Sequence, residues 1–102
     1  MILFLKSNIR KCDAICEVKG EKYIVKKGSL ISPKISNFKV SKQVLNARKD
    51  KNIVGNDNIT LKDVEFNSPS TAAQFVTGAS INGKIAWKNE KKENLRTINK
   101  EQ

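Results

Sequence analysis

Histidine is absent from this sequence of 102 residues. Without an imidazole, no Ser-His or Cys-His pair can activate a nucleophile, and no histidine can ligate a metal ion. Cysteine is also scarce, since only Cys12 and Cys16 are present. Two thiols without histidine cannot complete a zinc site of four Cys or His ligands. These absences exclude histidine-dependent hydrolases and closed zinc sites, and we expect neither a cofactor nor a metal.

Long apolar runs are absent as well. Residues 2–5 form an apolar run of four residues, whereas a membrane helix needs about 20. The run is also too short for the core of a signal peptide. If Cys12 and Cys16 lie on one extended strand, their sulfurs are too far apart for a disulfide. We therefore expect a cytoplasmic protein without a membrane segment, with Cys16 half-buried, Cys12 exposed and both thiols reduced.

Acidic residues and arginine are few compared with lysine. The chain has 20 basic and 10 acidic residues, a formal net charge of +10, and only three of the basic residues are arginine. Residues 1–49 contain 12 basic and 3 acidic residues, and residues 50–102 contain 8 and 7. This asymmetry favours an anionic partner on a positive face built from the amino-terminal half. A solvated lysine-rich surface, produced by the composition of the source genome, is the alternative interpretation.

The apolar pattern predicts an α+β fold, a small mostly antiparallel sheet with two helices packed on one face. Residues 2–6 are apolar on both faces, which is typical of a central strand. Residues 14–18 and 23–26 alternate and are predicted to form a hairpin. Shorter strands are predicted at residues 59–61 and 85–88.

The chain length favours a single domain, and we place it at residues 1–95. A strongly charged tail follows at residues 96–102. Leu95 and Ile98 are the large apolar side chains near it, and they could dock one helical turn. Without that contact the tail is expected to fray.

The first predicted helix covers residues 39–49. Val40, Val44 and Ala47 fall on a buried stripe at helical spacing, with Arg48 on the solvent side. Three lysines share that solvent side, so this helix is one source of the predicted positive face.

The second predicted helix, residues 69–77, has a signal at each end. Ser68 can cap it with its hydroxyl, and Pro69 suits the first helical position because the missing N–H costs nothing there. Gly78 fits just past the end, where a positive φ is favourable. Asn82-Gly83 then predicts a tight turn that leads into the last strand.

Neither a phosphate loop nor a carboxylate centre is predicted. Residues 78–84 nearly match a P-loop, but Ile85 stands where Ser or Thr must hold magnesium, and a helix precedes the run instead of a strand. Asp57, Asp63 and Glu65 are near each other in sequence, but no pattern gathers them in one cleft, as a metal-dependent nuclease requires. We therefore predict that the chain is not an enzyme.

Motif residues spread over most of the chain resemble one family. In the carboxy-terminal half they are Phe66-Asn-Ser-Pro-Ser-Thr-Ala-Ala, then Val76-Thr-Gly78, Ser80, Asn82-Gly83 and Trp87. In the amino-terminal half they are Phe4-Leu5-Lys6, Ala14, Tyr23-Ile24-Val25 and Lys27-Gly28-Ser29. Together they resemble domain of unknown function 4357, a bacterial family found mostly as a C-terminal module behind GIY-YIG nuclease domains.

This resemblance implies an accessory module associated with nuclease or restriction-modification systems. The Ser-Pro-Ser core with Asn-Gly and Trp is also similar to the restriction-enzyme adenine-methylase-associated domain, which is thought to recognise modified DNA. One departure concerns Lys84, since the family usually has an aromatic residue directly after Asn-Gly. A base contact at that position would be lost or replaced by a phosphate contact. The chain has no GIY or YIG strand pair, so no nuclease activity is implied.

Charge and resemblance together predict a non-catalytic module that binds double-stranded DNA, including modified DNA as a narrower form. The start of the second helix offers N–H groups and hydroxyls that suit a phosphate. The candidate contacts are Lys22, Lys26, Lys27, Lys39, Lys42, Lys49, Ser68, Ser70 and Lys84. Trp87 is expected in the core rather than stacked on a base. The alternative is a protein-interaction module that docks onto a nuclease or methylase partner, through an apolar patch around Ile35 and Phe38.

Overall fold

A computed structural model describes residues 1–36 and 40–100 and contains one antiparallel sheet and four helices. The elements in chain order are β1 (Ile2–Ser7), β2 (Cys12–Lys19), β3 (Lys22–Val25), α1 (Lys42–Lys49), β4 (Val64–Phe66), α2 (Pro69–Thr77), α3 (Gly83–Ala86) and α4 (Leu95–Lys100). The four strands are hydrogen-bonded in the order β1-β2-β3-β4. The predicted α+β class is confirmed, with four helices in the described residues where two were predicted.

The first strand lies at an edge of the sheet, so its predicted central position is wrong. Leu3 and Leu5 face the core, with 0% and 5% of their surface exposed. Ile2 and Phe4 lie on the opposite face, away from the core, and 43% and 40% of their surface is exposed. On the outer side, Phe4 exchanges two backbone hydrogen bonds with Lys88, at 2.7 and 3.0 Å. The strand is apolar on both faces because Leu3 and Leu5 face the core, whereas Ile2 and Phe4 belong to an open sheet face that is itself partly apolar.

Both cysteines point into the core from β2. The hairpin of β2 and β3 is confirmed, but β2 begins at Cys12, two residues earlier than predicted. Alternation then places Cys12 on the same face as Cys16, so the predicted exposure of Cys12 is wrong. The two thiols are free, with 3% and 0% of the residue exposed. Burial raises the pKa of Cys12 and raises that of Cys16 to about 12.

The core lies between the sheet and α2, which packs across β2, β3 and β4. Phe66 from β4 and Phe75 from α2 meet in its middle, with ring centroids 5.2 Å apart and planes tilted by 42°. Trp87 is the largest fully buried side chain, and its predicted core position is confirmed. The result is a layer of helices on one face of the sheet, as predicted, while the other face stays open.

The first helix packs against α2 rather than against the sheet. It begins three residues later than predicted, since Ser41 is the N-cap and accepts a hydrogen bond from the Val44 N–H at 3.3 Å. Val44 is its fully buried residue. The predicted start of the helix and the contact residue Lys39 lie outside the described residues.

Two predictions for the remaining segments need correction. The segment predicted as a strand at 85–88 is α3 followed by a single bridge residue, Lys88. Residues 59–61 contribute isolated bridges and are not part of a strand. Of the two alternatives for the charged tail, the structure has the docked helical turn, since Leu95 begins α4 with 3% of its surface exposed. No helix in the described ranges has the length and apolar character of a membrane span.

Candidate nucleic-acid interface

Charges of opposite sign nearly cancel on the open face of the sheet. Strand alternation places six charged residues on this face, namely Lys6, Asp13, Glu17, Lys19, Lys22 and Glu65. Lys26 joins them through its ion pair with Glu17, and Asp63 joins them through its ion pair with Lys26. Lys88, which pairs directly with Phe4, is a further lysine on this face. The face therefore holds five lysines and four acidic residues, a net charge of about +1, and most of the excess of +10 is carried by the rest of the chain.

The predicted contact lysines of β3 already have partners within the protein. Lys26 Nζ lies 2.9 Å from Asp63 Oδ2 and 3.4 Å from Glu17 Oε1. Lys22 Nζ donates to the side-chain oxygen of Asn67 at 2.6 Å. Lys27 is exposed, and its backbone N–H donates to Asp63 Oδ1 at 2.8 Å. Binding a phosphate with Lys22 or Lys26 would therefore compete with these contacts.

The Asp63 contact makes a prediction for pH. The backbone N–H of Lys27 and then the ammonium of Lys26 lower the pKa of the Asp63 carboxyl below its ordinary value of 3.8. Because this pKa is lowered on folding, the contact stabilises the fold above the pKa of the unfolded carboxyl. That stabilisation is lost as pH falls through the folded pKa. We expect an NMR titration to show Asp63 titrating below 3.8, with Lys26→Met raising its midpoint.

The control for this titration is Lys22→Met, because Lys22 donates to Asn67 and not to a carboxylate. It removes the same charge four residues earlier in the chain and should leave the Asp63 midpoint close to that of the wild type. Equal shifts from the two substitutions would contradict the direct contact.

The first helix presents a positive face without acidic residues. Lys42 and Lys49 are exposed and seven residues apart, so two helical turns place them on one side, about 10 Å apart along the axis. The helix sequence Lys42–Lys49 contains no Asp or Glu. Lys42 also lies in the first turn, where the helix dipole disfavours a positive charge. An anion bound there would offset that repulsion.

Arg48 points into the protein, so its predicted position on the solvent side is wrong. Its guanidinium donates to the carbonyl oxygens of Phe75, Ser32 and, at 3.2 Å, Lys34. These carbonyls lie at the carboxyl end of α2 and in the loop beside it, and the planar five-donor guanidinium can reach them together. Burial, followed by repulsion from Arg10, lowers the pKa of Arg48.

Arg10 contacts the same end of α2. Its Nε and a terminal nitrogen donate to the Thr77 carbonyl oxygen at 3.0 and 2.6 Å. Two guanidiniums thus satisfy carbonyls that a helix end leaves unpaired. Of the three arginines in the chain, Arg10 and Arg48 are engaged in the fold, so lysines carry most of the positive charge that faces solvent.

The structure brings Ser68, Ser70 and Lys84 together where the amino ends of α2 and α3 meet. Ser68 caps α2 as predicted, accepting from the Thr71 N–H at 3.0 Å. Ser70 Oγ accepts from the Gly83 N–H, also at 3.0 Å. Both hydroxyls therefore satisfy backbone groups of the protein itself, and only Lys84 extends from this group into solvent.

Asn82 and Gly83 do not form the predicted hairpin turn. Asn82 is the N-cap of α3, with its side-chain oxygen accepting from the Lys84 N–H at 3.0 Å. Gly83 is needed for close approach, since a Cβ there would overlap the Pro69 carbonyl group and the backbone nitrogen of Ser70. Asn is as good an N-cap as it is a turn residue, so the dipeptide alone does not distinguish the two.

Trp87 completes this contact, which we call the α2–α3 junction (Pro69, Ser70, Gly83 and Trp87). Its indole N–H donates to the Pro69 carbonyl oxygen at 3.0 Å, and none of its surface is exposed. The Ser-Pro-Ser, Asn-Gly and Trp motif residues thus have structural roles in the fold. The described residues hold no cluster of three or more Cys, Asp or Glu that could bind a metal ion.

Comparison with known proteins adds one finding. The family model described as domain of unknown function (DUF4357) matches residues 3–99. No curated protein matches the chain, and no solved structure does. The matched region includes β1 from Leu3 onward, all of β2, β3 and β4, all of α1, α2 and α3, and the α2–α3 junction.

Proposed function

This chain belongs to the DUF4357 family, a family described as of unknown function, and we propose that it is a non-catalytic module that binds double-stranded DNA. The carrying observation is the separation of charge. Lysines and acids nearly cancel on the open sheet face, while α1 on the other side carries Lys42 and Lys49 and no acidic residue. The nearest acid in sequence is the C-cap Asp50, beyond the last turn, and a helix with this excess of positive charge is suited to the phosphates of a duplex.

The proposed contacts are electrostatic and centre on α1. The two exposed lysines are about 10 Å apart, which corresponds to about three phosphate steps of 3.4 Å along one strand. Lysine acts as a point charge, whereas arginine pairs with guanine edges and is largely engaged in the fold here. We therefore expect phosphate contacts to dominate and discrimination between sequences to be weak. Lys22, Lys27 and Lys84 are the further predicted contacts that remain exposed, and of these Lys22 donates to Asn67.

We expect Lys42→Gln/Lys49→Gln to weaken duplex binding about tenfold, because two phosphate contacts are removed. The slope of log affinity against log salt should become shallower by about two. Fluorescence anisotropy with labelled duplex, at two salt concentrations, measures both quantities. Comparing methylated with plain duplex tests the narrower proposal that a modified base is recognised.

The matched control is Lys19→Gln/Lys22→Gln, which removes two charges from the open sheet face. It gives the same net charge as the α1 variant, so a difference between the two reports position and not total charge. We expect less than about a threefold loss from this control. Equal losses would remove α1 from the interface, and a wild-type chain that fails to bind at low salt would overturn the function itself.

The second candidate is a module that docks onto a nuclease or methylase partner. The observation that favours it is the open sheet face, where Ile2, Phe4 and Ile15 are exposed. The apolar patch that the sequence predicted around Ile35 and Phe38 does not support this function, since Phe38 lies outside the described residues. Co-purification with such a partner and weak dependence on salt would favour this function. A cytoplasmic location remains part of either proposal, and the free thiols of Cys12 and Cys16 are consistent with it.

A further inference from the structure

The open sheet face has an apolar strip along β1 and β2. Ile2, Phe4 and Ile15 have 43%, 40% and 42% of their surface exposed, although they lie next to one another in the sheet. A groove of about 620 Å³ continues this strip past the edge of β1. Met1, Ile2, Phe4 and the segment from Asn89 to Glu93 line it. Adjacent apolar side chains on an uncovered face mark a contact surface.

The pairing of β1 with β2 places complementary side chains side by side. Phe4 lies opposite Ile15, and both are apolar. Lys6 lies opposite Asp13, and their charges are opposite. Ile2 lies opposite Glu17, and this third pair is not complementary. The other two pairs contain both members of a favourable contact, which is the requirement for a surface that binds itself about a two-fold axis.

We propose that this face binds a second copy of the chain, with the two-fold axis parallel to the strands and midway between β1 and β2. Such an axis lays β1 of one copy over β2 of the other. Phe4 then contacts Ile15 of the second copy, and Lys6 faces Asp13 of the second copy. The symmetry repeats each contact, so four residues supply two apolar and two charged pairs.

The low net charge of the open face favours a second copy of the chain over a strongly charged partner. Two molecules of net charge +10 repel each other through most orientations. The open face is the exception, because its five lysines and four acids nearly cancel. Face-to-face packing also directs α1 of both copies outward, and salt screens charges separated by more than about 8 Å at physiological ionic strength. The proposal therefore goes beyond DNA binding and does not depend on it.

The size of the face sets the expected affinity. The strands have 6, 8, 4 and 3 residues, and at about 3.3 by 4.8 Å for each residue they give a face of roughly 330 Å². A standard protein interface buries about 800 Å² on each partner. We therefore expect a weak, reversible dimer with a dissociation constant in the range of about 10 to 100 µM.

Sedimentation equilibrium of the whole chain, without DNA, tests this from about 5 to about 500 µM. The wild type should shift from monomer to dimer across the range. Phe4→Glu should abolish the shift, and Lys6→Asp should weaken association at least about tenfold. Lys6→Asp/Asp13→Lys should restore it, because the swap exchanges the charges of each pair. Lys51→Asp is the control, with the same charge change in the exposed turn after α1, and should leave association unchanged.

Circular dichroism of each variant checks that the fold is retained, which we expect because Phe4, Lys6 and Asp13 are exposed. A wild-type chain that stays monomeric at the highest concentration overturns the proposal and makes a different protein the occupant of this face. Failure of the double swap to restore association overturns the axis described above. Neither outcome bears on the anisotropy experiment, so the two proposals fail separately.

Discussion

Trp87→Ala is expected to lower the free energy of unfolding by about 3–5 kcal/mol, the largest single-residue effect in the fold. The side chain is fully buried, and its indole N–H donates to Pro69 in the α2–α3 junction at 3.0 Å. Truncation leaves a cavity and removes the indole hydrogen bond to the Pro69 carbonyl. It also loosens the next residue, Lys88, which pairs with the outer side of β1.

Urea denaturation followed by far-ultraviolet circular dichroism measures this loss, since the substitution removes the only tryptophan. Trp87→Phe is the control, because it keeps most of the buried ring and removes the N–H donor. We expect it to cost about 1–2 kcal/mol. A cost of less than about 1 kcal/mol for Trp87→Ala would contradict the central place of the indole in the core.

Gly78→Ala is expected to lower the free energy of unfolding by at least about 3 kcal/mol, for two reasons that add. Gly78 ends α2 with a φ of 71°, where a side chain is strained. In addition, a Cβ would overlap the carbonyl oxygen of Lys34, which belongs to the loop beside α2. Ser36 donates its N–H to the Gly78 carbonyl at 2.7 Å, so the loop cannot move away freely.

Gly20→Ala separates the two causes. Gly20 has a comparable φ of 58°, but nothing lies within 4 Å of a Cβ built there. Its substitution should cost about 1–2 kcal/mol, from backbone strain alone. The difference between the two variants, measured in the same urea titration, is the cost of the overlap with Lys34. If both alanines cost the same, the loop yields and the close approach contributes nothing to stability.

Local signals predicted α2 correctly at both ends. Ser68, Pro69 and Gly78 each act through their own backbone and the few residues beside them, so their roles do not depend on the rest of the fold. The β2–β3 hairpin was predictable for the same reason. Here the energetics of a short segment agree with the tertiary structure.

Signals that depend on distant neighbours were misleading. Asn82-Gly83 has the composition of a hairpin turn, yet Pro69 and Ser70 lie against the glycine and make it part of a helix start. Arg48 was predicted on the solvent side because the carbonyls that hold it come from other segments. The adjacent buried stripe at Val44 was a hint that Arg48 lies near the core.

The candidate interface was predictable in total charge but not in position. The sequence shows an excess of lysine, and it placed Lys42 and Lys49 on the solvent side of a helix, where they are found. It could not show that Lys26 meets acidic groups 9 and 37 positions away in the chain. Which lysines remain available is a property of the sheet topology, since strand pairing creates those neighbours.

The two guanidiniums at the end of α2 also explain how the amino-acid composition stays compatible with the fold. Where a residue supplies only a positive charge, lysine can replace arginine at little cost. Arg10 and Arg48 bind carbonyl oxygens from a planar fork, which one ammonium group cannot reproduce. Lysine at position 10 or 48 would therefore keep the positive charge and lose hydrogen bonds at the end of α2, so the two residue types are not interchangeable there.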